Sequence, residues 1–196
     1  MTDQEFFLLI KSDVIEDMKK TGILASLTAA QAYIESNIGN SGLTQKANNL
    51  FGIKGTYNGQ YITMKTKEYS NGKYITVNAK FRKYPSWKES IEDHSGLFLR
   101  LTRYENLRGE KNYTVACKKV QQDGYATSPV YADTLIRIIE RYKLYEWDEY
   151  VPDPELDESI ITIAKRVIRG DFGYGHDTRM KLIYDRVRQK VNEMLK

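Results

Sequence analysis

The apolar positions of the first hundred residues change period twice, and those changes divide the chain into elements. Phe6, Phe7, Leu9 and Ile10 begin a first helix. The spacing predicts a second helix from Asp13, with Glu16 three residues on as a capping box and Gly22 as its stop. A third follows over 24–36. Its apolar residues Leu27, Ala30 and Ile34 recur at spacings of three and four, and Thr28 and Gln31 share the face of Glu35. A glycine-bearing turn comes next.

Two hairpin signals, Asn58-Gly59 and Asn71-Gly72, then interrupt the helical period. A two-residue turn at Asn71-Gly72 pairs Ser70 with Lys73, and hence Glu68 with Ile75, Thr66 with Val77, Met64 with Ala79 and Ile62 with Phe81. Apart from Thr66 and Glu68 that face is apolar. A largely buried sheet face is therefore expected, with Glu68 at its tip, where desolvation would raise a carboxyl pKa. The helical period returns at Ser86-Trp-Lys-Glu89, a capping box opening a helix with Trp87, Ile91, Phe98 and Leu101 on one side. A shorter helix covers 114–122. After the loop Gly124-Tyr-Ala-Thr-Ser-Pro129, Ser128-Pro129 start a long helix carrying Val130, Leu135, Ile138, Ile139 and Tyr142. The expected class is α+β, mainly α, with a small β-hairpin lobe.

Composition shifts after Leu144. Residues 145–158 hold seven acids, no basic residue and two prolines, a linker signature. Residues 160–196 hold nine basic residues against four acidic ones and show three short helical stretches around a glycine-rich turn at Gly170–Gly175. The expected organisation is a main domain over 1–147, a linker over 148–158 and a small three-helix module over 159–196.

Charge and chemistry narrow the function classes. One cysteine, Cys117, excludes an internal disulfide framework and a cysteine-based zinc site, and two distant histidines, His94 and His176, make no metal pair. No metal or cofactor is expected. The start Met-Thr-Asp-Gln-Glu-Phe lacks the features of a signal peptide, and no apolar run is long enough to span a membrane, so membrane insertion is not expected. The formal charge of +4 favours an anionic partner. Basic residues are interspersed with acids rather than gathered in a stripe, so a nucleic-acid role is not expected. Fifteen tyrosines suit carbohydrate, since their rings stack on sugars while their hydroxyls hydrogen-bond. Glu35, at the end of an Ala-rich helix, is the leading candidate for a rigidly mounted carboxylate.

The runs Ala25-Ser-Leu-Thr-Ala-Ala-Gln-Ala-Tyr-Ile-Glu35-Ser36, Ser41-Gly42 and Ala47-Asn-Asn-Leu-Phe-Gly-Ile-Lys54 resemble the signature of glycoside hydrolase family 73. The likeness continues through Glu68-Tyr-Ser-Asn-Gly72, Phe81-Arg-Lys-Tyr-Pro-Ser-Trp87, Ser90-Ile-Glu-Asp-His94 and Gly124-Tyr-Ala-Thr-Ser-Pro-Val-Tyr-Ala132. The resemblance implies a lysozyme-like fold and an endo-β-N-acetylglucosaminidase acting on the glycan strands of bacterial peptidoglycan. It places Glu35 as general acid, Glu68 as a second carboxylate, and Tyr131 as a catalytic tyrosine that orients the substrate's acetamido group. Tyr125 is the neighbouring candidate, with Asn49 and Phe51 as the floor of the glycan cleft and His94 as structural.

In the tail, Ile163-Ala-Lys-Arg-Val-Ile-Arg-Gly170-Asp-Phe-Gly-Tyr-Gly175 with Arg179 and Tyr184–Asn192 is similar to the CW-seven cell-wall-binding repeat. Phe172 stands where that repeat usually has tryptophan, and Tyr174 where it usually has asparagine. Asp171, Phe172, Tyr174 and Arg179 are its candidate binding residues. A hydrolase with such a tail and no signal peptide suggests a phage or prophage endolysin, made in a host cytoplasm and acting at the wall after release. The alternatives are a muramidase or lytic transglycosylase on the same fold, or a non-catalytic wall-binding protein. The oligomeric state is open.

Overall fold

The structure, a computed structural model, describes residues 1–149 except Asn71 and Gly72, and for Glu68, Tyr69, Ser70 and Tyr74 the backbone alone. The module expected over 159–196, with Asp171, Phe172, Tyr174 and Arg179, lies outside the described residues. Met1 and Ile10–Tyr150 belong to the main compact unit; the described part of a second is Thr2–Leu9.

A single helix, α1 (Asp3–Thr21), replaces the two expected at the start. Its capping box is Thr2 with Glu5, not Asp13 with Glu16: the Thr2 amide donates to the Glu5 carboxylate at 2.9 Å and the Glu5 amide to the Thr2 hydroxyl at 3.2 Å. Glu16 lies mid-helix, where Lys20 and Lys88 hold its carboxylate at 2.7 and 2.6 Å. Sequence pattern alone does not show that this acid already has partners.

Helix α2 (Ala25–Glu35) is the centre of the unit. Eight consecutive residues, Ala25–Ala32, are buried, so the helix is enclosed around its circumference rather than on one stripe. Its alanines permit that close approach. Helix α6 (Tyr131–Arg141) packs against it with the opposite design, burying Tyr131, Ala132, Leu135 and Ile139 while Asp133, Arg137 and Glu140 face solvent. It starts three residues after Ser128, whose carbonyl accepts from the Tyr131 amide at 3.2 Å.

A short helix not read from the sequence, α3 (Gly42–Ala47), follows α2, with Ser41 accepting from the Thr44 amide at 3.0 Å. Strands β1 (Tyr61–Ser70) and β2 (Lys73–Arg82) pair in the expected antiparallel register, Glu68 opposite Ile75 and Ile62 opposite Phe81. Asn58-Gly59 also turns, both residues at positive φ, but joins only Tyr57 and Gln60. The expected burial of the sheet face is corrected. Phe81 is buried and Ile62, Met64, Thr66, Val77 and Ala79 are half-buried, but Ile75, opposite Glu68, is exposed. A two-stranded ribbon has too little behind its tip to bury it.

Helix α4 (Trp87–Arg100) opens on the expected Ser86 cap and ends before Leu101, which is exposed rather than part of the inner stripe. Helix α5 (Tyr113–Gln122) is capped by Asn112. Asp93 of α4 ties the hairpin base down, accepting from Arg82 at 2.5 Å, Tyr84 at 2.8 Å and Arg100 at 3.0 Å. Burial alone would raise its pKa, but these donors outweigh burial and hold it below the ordinary aspartate value. Among the described residues no helix is long and apolar enough to cross a membrane, and no cluster of three or more His, Cys, Asp or Glu is arranged to hold a metal.

Asp17 of α1 is buried and accepts a hydrogen bond from the Ser95 hydroxyl. Burial, only partly offset by Ser95, pushes its carboxyl up to about 6. In an unfolded chain it would titrate near about 3.9. The native state therefore favours the protonated form, and that contribution, full below the unfolded pKa, is lost as pH rises through about 6. Asp17→Asn keeps an acceptor for Ser95 and removes the buried charge. Thermal melts should show a higher Tm than wild type at pH 7 and a gap that narrows toward pH 4; an equal or lower Tm at pH 7 contradicts this assignment.

Candidate active site

Glu35 is the last residue of α2, and both ends of that helix are held. At the start, Leu24 offers no capping side chain. Asp148 takes that role from the far end of the unit, accepting from the Ser26 amide at 2.9 Å and the Ser26 hydroxyl at 2.6 Å. Burial raises the Asp148 pKa, and the hydrogen bonds from Ser26 pull the other way. Composition alone assigned Asp148 to the linker; the structure makes it the anchor of the helix carrying Glu35.

At the other end the chain leaves α2 through a left-handed turn. Asn37 and Ile38 have φ of 51° and 57°, and a β-branched residue in that region is strained. The turn is over-determined by its hydrogen bonds: Ile38 amide to the Tyr33 carbonyl at 3.0 Å, Gly39 amide to the buried Ser36 hydroxyl at 2.7 Å, and Ser41 amide to the Ser36 carbonyl at 2.8 Å. Glu35 thus has a fixed height on the helix.

Tyr131, first residue of α6, donates its hydroxyl proton to Glu35 Oε1 at 2.9 Å and accepts from Gln31 Nε2 at 3.3 Å. Gln31 lies one turn before Glu35, so α2 supplies both groups that flank the phenol. The donation by Gln31 leaves the phenol proton free for Glu35. As a residue Glu35 is exposed to solvent, while Tyr131 sits against one carboxylate oxygen and the surrounding protein partly desolvates the carboxyl. Burial therefore raises its pKa above the ordinary glutamate value, and the Tyr131 hydrogen bond opposes the rise without cancelling it. The C-terminal end of the helix, where unpaired backbone carbonyls make the dipole negative, acts in the same direction as burial.

Aromatic rings run from this pair into the protein. Tyr125 stacks on Tyr131 with centroids 5.9 Å apart; His94 meets Tyr125 edge-on at 5.7 Å; Phe51 stacks on His94 at 3.8 Å. His94 is fully buried with both ring nitrogens lacking a hydrogen-bond partner, and burial brings its pKa down to about 3, so it is neutral. It is a ring in the stack beneath the site. The geometry also separates the two tyrosine candidates: Tyr131 touches Glu35, and Tyr125 backs it.

Asn49, expected at the floor of the glycan cleft, is held by backbone hydrogen bonds. Its amide nitrogen donates to the carbonyls of Ile53 and Arg82, both at 2.9 Å, and its oxygen accepts from the Ile53 amide at 3.0 Å. The side chain is 1 % exposed. It pins the loop carrying Phe51 to the end of β2. Glu68 sits third from the end of β1 by its backbone; its side chain lies outside the described residues. Glu35, Tyr131 and Tyr125 are thus brought together, with Phe51 joined through His94. Sequence reasoning placed Gln31 on the right face without seeing its bond to Tyr131, and missed Asp148, because a contact across 122 residues leaves no periodic trace.

A carboxyl raised in pKa by its surroundings, beside a tyrosine and an aromatic floor, is the equipment of a glycosidase. Residues 11–144 match the glucosaminidase family, described as mannosyl-glycoprotein endo-beta-N-acetylglucosaminidase, and the chain belongs to that family of glycoside hydrolases. It is 48% identical over 139 residues to the exo-glucosaminidase LytG of Bacillus subtilis, covering 68% of this chain and 49% of that protein. It is 39% identical over 135 residues to a probable N-acetylmuramidase of Lactococcus lactis, covering 65% of this chain and 31% of the relative. The catalytic domain of the autolysin Auto from Listeria monocytogenes superposes with a TM-score of 0.70 at 39% identity, over 76% of this chain and 89% of that one. The fold is that of the lysozyme-like glucosaminidases. The chain spans about half the length of LytG or less of the other curated relative.

Tyr131→Phe removes the hydrogen bond by which Tyr131 stabilises the Glu35 carboxylate, so the Glu35 pKa should rise further; a carbon NMR titration of labelled glutamate checks this, and an unchanged or lower pKa contradicts it. Asp148→Ala leaves two buried donors of Ser26 unpaired and should cost about 2 kcal/mol in denaturant unfolding; a loss well under about 0.5 kcal/mol means that the cap does not hold α2.

Proposed function

We propose that the chain hydrolyses the β-1,4 bond between N-acetylglucosamine and N-acetylmuramic acid in bacterial peptidoglycan, with Glu35 as general acid. The observation that carries this reading is the Glu35 carboxyl, raised in pKa by burial and fixed by Tyr131 at the end of a fully packed helix. Tyr131 occupies Oε1, which leaves Oε2 to hold the proton delivered to the glycosidic oxygen as the bond breaks. In this role Tyr131 acts on Glu35 rather than on the sugar's acetamido group. Glu68, on the neighbouring hairpin, is the proposed second carboxylate, activating a water or steadying the positive charge that develops on the sugar.

The peptidoglycan substrate is supported by the names of the relatives, an exo-glucosaminidase, a probable N-acetylmuramidase and an autolysin. The same names keep a second reading, a muramidase, in play for the identity of the cleaved bond. A phage-endolysin origin and a wall-binding role for residues 159–196, through Asp171, Phe172, Tyr174 and Arg179, are proposals supported by sequence resemblance alone.

Glu35→Gln should lower the rate on purified cell walls by about 10²- to 10⁴-fold, the usual worth of a general acid, and Glu68→Gln by less. Full activity of the Glu35→Gln protein removes Glu35 from the mechanism. Digests should carry reducing N-acetylglucosamine ends; reducing muramic acid ends select the muramidase, and anhydro-muramic ends a lytic transglycosylase.

A further inference from the structure

The β1–β2 hairpin has two faces, and the site uses one. The side bearing the backbone position of Glu68 turns Met64 toward Gly42 of α3. The other side carries Thr63, Lys65 and Lys67 from β1 and Thr76, Asn78 and Lys80 from β2, all exposed, with Lys80 opposite Thr63 and Asn78 opposite Lys65. In the linear sequence these lysines are mixed with other residues; the period of two gathers them. Among the described residues this face has no carboxylate, and Lys65, Lys67 and Lys80 have no ion-pair partner. Elsewhere in the unit Lys20, Lys88 and Lys119 are each neutralised by a glutamate.

We propose that this face docks a linear phosphodiester polymer of the bacterial wall. Lys65 and Lys67, two residues apart on one strand, stand about 6.8 Å apart along it, and Lys80 widens the row onto the second strand. Such a row complements a chain whose negative charges recur, and hydroxyl and amide groups of Thr63, Thr76 and Asn78 alternate with the ammonium groups to meet its polar backbone. A single-stranded nucleic acid has the same phosphodiester chemistry, but its binding surfaces offer aromatic platforms for bases. Here the ring of Tyr61 is covered by Lys80, 4.2 Å from its centroid, and the other tyrosine positions of this face, Tyr69 and Tyr74, stand at the hairpin tip beyond Lys67 rather than interleaved with the lysines. The choice of a wall polymer rests on the peptidoglycan reading; the binding chemistry of the face does not. Docking there would hold the hydrolase on its substrate while the Glu68 side stays clear.

The test titrates the full chain with poly(glycerol phosphate) at several salt concentrations. Lys65→Gln/Lys67→Gln/Lys80→Gln should bind at least about tenfold more weakly, and its log K against log salt slope should be shallower by about 2, at ~0.7 per lost phosphate contact. The matching triple arginine variant should bind like wild type. Hydrolysis of a soluble, phosphate-free peptidoglycan fragment should be unchanged in all three proteins. A glutamine variant that binds as wild type does overturns the proposal, as does tighter wild-type binding of single-stranded DNA of equal charge. Loss of polymer binding in a chain that hydrolyses no peptidoglycan would leave the docking face standing and remove the catalytic reading alone.

Discussion

Whether Glu35 holds a proton near neutral pH depends on how far its carboxyl is withdrawn from water, and that withdrawal depends on how α2 is held. The helix is enclosed from Ala25 to Ala32, capped at its start by Asp148 and stopped after Glu35 by a strained left-handed turn. None of these groups reacts with a sugar. Each removes a way for the carboxyl to move toward solvent. Tyr131 then sets the balance: its hydrogen bond moderates the rise in pKa and orients the group.

The elements that depend on local chemistry were legible in the sequence. The Asn71-Gly72 signal foretold the hairpin register pair by pair, and the Ser86 box foretold the start of α4. What failed to show were partners distant along the chain. Glu16 reads as a cap until Lys20 and Lys88 are seen to hold it. Asp148 reads as linker until Ser26 is found against it. The hairpin face was overestimated for a related reason, since alternation tells which residues share a face but not how much protein stands behind it.

At the site the same division holds. The motif named Glu35 and two tyrosines, and only the fold shows which ring meets Glu35: Tyr131 by a hydrogen bond, with Tyr125 stacked behind it. An asparagine beside a phenylalanine, as Asn49 is placed, reads equally as a sugar contact or a loop pin. Its three backbone hydrogen bonds decide for the pin. His94, structural by expectation, proves to be the ring that joins Phe51 to Tyr125. By register one face of the hairpin carries the backbone position of Glu68 and the other carries Lys65, Lys67 and Lys80.

The most direct measurement is a carbon-13 titration of the Glu35 carboxyl in the wild-type protein, set beside the pH dependence of kcat/KM on a peptidoglycan fragment. The account predicts that Glu35 titrates above the ordinary glutamate value and that kcat/KM falls on the alkaline side at the same pH. A Glu35 that titrates at or below that value, or an alkaline limb that follows another group, would contradict it.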